Sequence, residues 1–260
     1  MDNGLWPVIC LEGMPPELAV KNDGKNWQNP HPPKGPPEYL KWQHICHEVV
    51  RHCRAKWGDA IHNWYFEVWN EPDARSYFSG TLEEYLKVYD HAVAGATSAD
   101  PAIRIGGPAS AGAEWCRPLL EHCASGHNDA TGGRSCRVDF LSWHIYTVGA
   151  GIPVFDVLRM DCEAVRQAIN AVPQCKDIPT IITEWGGASS HHPVHDRPFD
   201  AAFRTMAVRC FSITTSRWRS RFASVKDRLM RMKDFKAALP CLPKRRFPSP
   251  AFARSNCCAA

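Results

Sequence analysis

The chain has 260 residues, of which 44% are hydrophobic and 22% are charged, and its formal net charge is +4 at pH 7. This composition predicts a folded globular protein and excludes a disordered chain. No run reaches the roughly 18 apolar residues of a membrane helix, and no signal peptide opens the sequence, so we expect a cytoplasmic protein that contacts no membrane.

Five short apolar segments are predicted to be β-strands, and helical patterns lie between them. The segments lack strict alternation, which is typical of parallel strands buried on both faces. They are residues 6–11, 64–69, 103–105, 138–143 and 180–183. Apolar stripes or capping signals predict helices at residues 39–57, after Thr81, around 158–169, and at 199–210. The repeated alternation predicts an α/β fold, either a barrel or a doubly wound sheet.

A long proline-rich loop, residues 13–37, follows the first predicted strand. Its prolines exclude a helix interior. In a barrel this loop would lie at the carboxyl ends of the strands, where active sites form. A functional loop and a plain surface insertion are equally compatible with the sequence.

Two glutamates follow predicted strands at positions where barrel enzymes carry their chemistry. Glu71 lies in Val68-Trp-Asn-Glu-Pro72, and Glu184 lies in Ile182-Thr-Glu-Trp-Gly186. A single carboxylate at a strand end is most often a cap or an ion-pair partner. Glycoside hydrolysis, however, requires such a pair, one group protonated and the other ionised. The two segments therefore predict a glycosidase.

The chain resembles glycoside hydrolase family 39, the family of β-xylosidases and α-L-iduronidase. The two glutamate segments alone resemble the wider clan of retaining glycosidases with the acid/base on strand 4 and the nucleophile on strand 7. The family likeness extends in order from about residue 4 to residue 208. It rests on the segments Tyr65–Asp73, Gly80–Tyr85, Arg104–Pro108, Asp139–Tyr146 and Pro193–Asp196. This resemblance implies a (β/α)8 TIM-barrel catalytic domain that needs no cofactor.

The resemblance also implies roles for individual residues. Glu71 would be the acid/base and Glu184 the nucleophile, while Asn70 would bind the sugar 2-hydroxyl. Three further residues would line the sugar subsite, namely His144, Tyr146 and Trp185. A tyrosine close to the nucleophile could also orient its carboxylate.

Three other groups of residues invite a different interpretation. Glu67 lies too early in its strand to be catalytic, and we interpret it as structural. His191, His192 and His195 suggest a metal site, but they match an ordinary loop of the family, so we expect no metal. The Gly106-Gly-Pro108 segment lacks the pattern of a nucleotide-binding loop, and we interpret it as a turn that ends a strand.

The family pattern is incomplete at both ends of the chain. Residue 4 onward resembles the family's third strand, so the barrel is expected to be truncated: strands 1 and 2 are missing and strand 8 is unclear. Residues 1–210 would form this partial catalytic domain. Residues 211–260 carry 12 Lys or Arg and only 2 Asp or Glu, and they form an atypical basic tail, expected to be out of frame or disordered rather than to bind nucleic acid.

We therefore expect a retaining glycosidase that cleaves β-xylosidic bonds in xylo-oligosaccharides or in aryl or alkyl β-glycosides. An inactive or weakly sugar-binding fragment of such an enzyme is the first alternative, because missing strands would expose sheet edges and favour homo-oligomers. A uronic-acid glycosidase of the iduronidase type is the second. It would need a Lys or Arg near the sugar carboxylate, and the sequence does not locate one.

Overall fold

The computed structural model describes residues 6–21, 29–146 and 154–186. Five parallel strands form one sheet in the order β1-β2-β3-β4-β5. They are β1 (Val8–Leu11), β2 (Tyr65–Val68), β3 (Arg104–Ser110), β4 (Leu141–Tyr146) and β5 (Thr180–Gly186). The helices between them are α1 (Pro36–Trp57), α2 (Leu82–Ala99), α3 (Cys116–Ser125) and α4 (Val154–Ala171), with short 3₁₀ helices at Gly58–Asn63 and Pro173–Cys175. The predicted βα alternation is confirmed.

A hydrogen bond across the inner face shows that the sheet is strongly curled. Thr183 on β5 donates to Glu67 Oε1 on β2 at 2.9 Å, although β3 and β4 lie between these strands. In a flat sheet, strands three positions apart would be separated by about 14 Å. The five strands and their helices therefore form a partial (β/α) barrel, with Glu67 and Thr183 inside it.

The helices cover the outer face of the sheet and form the main hydrophobic core with it. Helices α1 and α2 pack closely, because Gly95 on α2 faces the Gln43 backbone at a distance that leaves no room for a β-carbon. Trp42 on α1 donates from its indole nitrogen to the Val88 carbonyl at 3.2 Å. The apolar stripe that the sequence predicts for α1 comprises Ile45, Cys46, Val49, Val50, Cys53 and Trp57. Cys46, Val50 and Cys53 are buried, but Trp57 is 39% exposed.

Several predicted boundaries were wrong for physical reasons. Gly106-Gly-Pro108 is not a turn, because β3 continues to Ser110. A β-carbon at Gly106 would lie 2.2 Å from the Phe140 carbonyl oxygen, so the glycine permits close approach of the backbones. Strand β5 also continues to Gly186, which places Glu184 inside a strand rather than after it. Pro36 and Pro37 form the first turn of α1 instead of the preceding loop, and a first turn tolerates proline.

Helix α2 begins with the capping box that the sequence predicts. The Thr81 side chain accepts from the Glu84 backbone N–H at 3.3 Å, and the Glu84 carboxylate accepts from the Thr81 N–H at 2.8 Å. Helix α3, in contrast, was not predicted. None of the described helices is long and apolar enough to cross a membrane, and the eight cysteines of the described residues are free thiols.

Several predictions lie outside the described residues. They concern the helix at 199–210, the strand-8 region, the boundary at residue 210 and the basic tail 211–260. The three clustered histidines, His191, His192 and His195, also lie there.

Candidate active site

Glu71 lies on an unusual backbone segment just beyond the end of β2. Trp69 and Glu71 have φ angles of 69° and 43°, in the left-handed region that costs a non-glycine residue about 1–3 kcal/mol. Backbone hydrogen bonds hold the segment, since Trp69 N–H donates to Leu11 O at 2.9 Å and Glu71 N–H donates to Ala109 O at 2.8 Å. The Glu71 side chain is only 14% exposed. Neighbouring strands thus fix this carboxylate in the barrel.

Glu184 lies on β5 directly after an irregular position in the strand. Trp143 pairs with Ile182 and His144 pairs with Glu184, so Thr183 is an extra residue with no counterpart on β4. Consecutive side chains of a regular strand point to opposite faces. A bulge relaxes this rule, and here both Thr183 and Glu184 contact groups of the inner face.

His144 on β4 lies between the two glutamates and is 1% exposed. Its Nδ1 is 3.0 Å from Glu71 Oε1 and 3.6 Å from Glu184 Oε2. Burial by itself lowers the pKa of His144, but the hydrogen bond to Glu71 and the charges of Glu184, Glu71 and Glu67 raise that pKa above its ordinary value. The imidazole is therefore positioned to interact with both carboxylates.

Tyr146 lies at the end of β4, two residues after His144, and is 40% exposed. Its hydroxyl donates to Glu184 Oε2 at 2.8 Å. Burial, together with the hydrogen bond to Glu184 and the charge of that carboxylate, raises the pKa of Tyr146 to about 12. The neutral phenol thus serves as a hydrogen-bond donor to Glu184 throughout the neutral pH range.

Asn70 lies next to Glu71 and is half-buried. Its side chain forms no hydrogen bond within the described part of the chain, so its amide is available to a ligand. The backbone of Trp185 pairs with Ile145 of β4, whereas its side chain lies outside what the structure describes. The subsite roles of Asn70 and Trp185 stay predictions.

Glu67 lies below this group on the inner face of β2 and is 5% exposed. It accepts a hydrogen bond from Thr183 at 2.9 Å, and the Ser142 hydroxyl lies close enough to act on its carboxyl. Burial raises the pKa of Glu67, although the hydroxyls of Ser142 and Thr183 and the nearby His144 act in the opposite direction. Sequence reasoning missed the contributions of Ser142 and Thr183. The available signal was a hydroxyl residue inside each of two otherwise apolar strands.

The geometry brings together three of the predicted site residues as possible metal ligands or catalysts. Glu71, His144 and Glu184 each offer one donor atom, and these atoms lie within 4.8 Å of one another. In the described residues this is the one group of three or more His, Cys, Asp or Glu with that arrangement. It contains two carboxylates, one from the segment after β2 and one from β5, that both approach His144 Nδ1.

Comparison with known proteins identifies the family. The family model described as glycosyl hydrolases family 39 matches residues 1–225. The chain belongs to this family. It is 31% identical to a β-xylosidase of Caldicellulosiruptor saccharolyticus over 214 residues, which cover 78% of this chain and 42% of the relative. It is also 33% identical to an α-L-iduronidase of Canis lupus familiaris over 186 residues, 68% of this chain and 26% of that protein.

A solved structure supports the family 39 assignment at the level of the fold. The crystal structure of a monomeric β-xylosidase from Caulobacter crescentus CB15 has a TM-score of 0.63 to this chain at 29% sequence identity. The match covers 80% of this chain and 43% of the β-xylosidase. The chain thus spans less than half the length of these family 39 relatives.

Proposed function

We propose that this family 39 chain carries the catalytic pair of a retaining β-glycosidase acting on β-xylosides or related neutral β-glycosides. The observation that carries the proposal is the approach of Glu71 and Glu184, which have carboxylate oxygens within 4.8 Å of each other. Retaining enzymes separate their two carboxyl groups by about 5–5.5 Å, whereas inverting enzymes need about 6.5–9.5 Å to accommodate a water. The short separation favours the retaining mechanism.

The first step forms a covalent intermediate. Glu184 attacks the anomeric carbon while the bond from that carbon to the leaving oxygen breaks, and protonated Glu71 gives its proton to that oxygen. In the second step, ionised Glu71 takes a proton from water. The water oxygen attacks the anomeric carbon, and the bond to Glu184 breaks. Two inversions retain the configuration.

The neighbours of the pair support these roles. Tyr146 donates to Glu184, which orients the carboxylate for attack and leaves its other oxygen available to the anomeric carbon. Asn70, next to Glu71, would bind the sugar 2-hydroxyl, a contact that strengthens in the transition state. Trp185 and the exposed edge of Tyr146 would contact the sugar ring.

A neutral sugar fits this site better than a uronic acid. Glu71 and Glu184 form ion pairs only with His144 within the described residues. A sugar carboxylate would add another negative charge here, and this disfavours an iduronidase-like substrate.

The alternative, an inactive or weakly sugar-binding fragment, is supported by the edge of the sheet. Within the described residues β1 pairs only with β2, and Trp6 and Val8 at that edge are 51% and 44% exposed. Unpaired N–H and C=O groups along a strand edge readily accept another strand, and we propose on this ground that two copies of the chain pair at this edge.

Azide rescue of two variants tests the proposal. Glu184→Ala should lose nearly all hydrolysis of an aryl β-xyloside, and azide should then occupy the vacated space and give the α-xylosyl azide. Glu71→Ala should still form the intermediate with a good leaving group, and azide should give the β-xylosyl azide. Wild-type protein that is folded but releases no sugar from aryl β-xyloside, arabinoside, glucoside or iduronide would favour the inactive fragment.

A further inference from the structure

Glu67 lies where two hydrogen-bonded connections to the candidate catalytic carboxylates meet. It is on the inner face of β2, opposite Cys10 of β1 and Gly106 of β3. A buried carboxylate is costly unless polar groups compensate it. Glu67 accepts a hydrogen bond from Thr183 on β5 and lies beside the Ser142 hydroxyl on β4, which lowers its pKa; each of these strands carries another residue of the site. Glu67 therefore connects strands β4 and β5 in addition to packing in the core.

The first connection leads to Glu71. The Ser142 hydroxyl on β4 lies close enough to Glu67 to lower the pKa of its carboxyl, and its oxygen accepts from the backbone N–H of Ala109 at 3.2 Å. Ala109 is the extra residue of a second irregularity, between Pro108 and Ser110, and has a φ angle of 54°. Its carbonyl accepts the Glu71 N–H at 2.8 Å. Glu67 thus supports the backbone position of Glu71.

The second connection leads to Glu184. Thr183, the bulged residue of β5, donates to Glu67 at 2.9 Å and directly precedes Glu184 in the chain. If Thr183 lost this partner, no other side-chain hydrogen bond within the described residues would hold its side chain inward. The strand could then return to regular pairing, and a one-residue slip would turn Glu184 away from His144 and Tyr146.

We propose that Glu67 is a positioning residue that fixes the separation and direction of Glu71 and Glu184 through Ser142 and Thr183. The effect on catalysis rests on the proposed function, because it requires Glu71 and Glu184 to be the catalytic pair. Because Glu67 is only 5% exposed, we assign it no contact with the sugar or the reacting atoms. Its effect is on kcat, because a displacement of about 1 Å at a catalytic group can reduce the rate about a hundredfold.

A matched pair at Thr183 tests this inference without changing any charge. Thr183→Val keeps the shape but removes the hydroxyl, whereas Thr183→Ser keeps it. With an aryl β-xyloside, Thr183→Val should lower kcat about a hundredfold and change KM less than about threefold. Thr183→Ser should restore kcat to within about threefold of wild type.

A second measurement does not depend on turnover. The pKa of His144, followed by NMR of its imidazole nitrogens, reports the proximity of Glu71, Glu184 and Glu67, the carboxylates that raise it. In Thr183→Val that pKa should fall towards its ordinary value, and in Thr183→Ser it should remain raised. A folded Thr183→Val protein with wild-type kcat and an unchanged His144 titration would overturn the inference.

The outcomes separate the two proposals. If wild type hydrolyses no glycoside, the proposed function fails, while the His144 titration still decides whether Glu67 and Thr183 position the carboxylates. If Thr183→Val does not fold, Glu67→Gln and Glu67→Met replace it. Gln retains an acceptor for Thr183 and should preserve kcat to within about tenfold, while Met should lose about a hundredfold. Equal kcat in these two variants would contradict the positioning role.

Discussion

Tyr146 and Glu184 lie on neighbouring strands, and the tyrosine hydroxyl donates to Glu184 Oε2 at 2.8 Å. The pairing of β4 with β5 holds this contact, because His144 is level with Glu184 and Tyr146 is level with Gly186. The hydroxyl therefore approaches the carboxylate from the carboxyl end of the strands. This is the end at which a sugar would enter a barrel site.

Removing this hydroxyl should slow catalysis more than it weakens binding. A hydrogen bond to a charged group contributes about 1.5–3 kcal/mol, so Tyr146→Phe should reduce kcat for an aryl β-xyloside about 10- to 100-fold. Tyr65→Phe, at the opposite end of the sheet on β2, is the control and should leave kcat unchanged. Equal kcat in the two variants would argue against an orienting role for Tyr146.

The stability contribution of His144 should depend on pH. Because the folded-state pKa of His144 lies above its ordinary value of 6.5, the stabilisation is fully present below pH 6.5 and is lost as the pH rises through the folded-state pKa. His144→Gln should therefore reduce the free energy of unfolding more at pH 5.5 than at pH 8.5. Urea denaturation at both pH values measures this, with the exposed His52→Gln as control. A pH-independent loss in His144→Gln would contradict the charge interaction.

Gly95 on α2 should not tolerate alanine. Helix propensity alone would favour Gly95→Ala by about 1 kcal/mol, but the new β-carbon would lie 2.0 Å from the Gln43 carbonyl oxygen of α1. The helices must then separate, and we expect a net destabilisation of about 1–3 kcal/mol. Gly133→Ala is the control, because its nearest contact would be 3.4 Å away. The melting temperatures of both variants show whether the gain in helix propensity or the steric contact with Gln43 dominates at Gly95.

The capping box of α2 should contribute to stability without affecting catalysis. Thr81→Ala removes the side-chain acceptor of the Glu84 N–H and should cost about 1 kcal/mol. Thr81→Ser keeps the hydroxyl and should remain close to wild type in its melting temperature. A change in KM for either variant would contradict the separation of this helix terminus from the site.

Much of the fold could be predicted from the sequence because buried parallel strands are apolar throughout. That signal located all five strands, yet it failed at Gly106-Gly-Pro108, where close approach to Phe140 rather than a turn requires the glycine. Helix α3 was missed because its ten residues, Cys116–Ser125, mix buried leucines with Arg117, Glu121 and His122. A short stripe of this kind gives a weak periodic signal.

The candidate site was predictable only in part. The segments around Glu71 and Glu184 identify two carboxylates, and the structure brings them together with His144 and Tyr146. The sequence indicates that Glu67 is structural, but it does not predict the contacts of Glu67 with Thr183 and Ser142. Those contacts depend on the curl of the sheet and on a bulge at Thr183, and a period-two pattern carries no information about either.

The left-handed residues around Glu71 limit how far this protein can be made heat-resistant. Trp69, Glu71 and Ala109 each carry a backbone conformation that glycine would adopt without strain. A selection for higher melting temperature alone would favour Ala109→Gly, because it relieves that strain at the cost of a more flexible chain. The Ala109 carbonyl accepts the Glu71 N–H. Variants selected in this way should therefore have a higher melting temperature but a lower kcat.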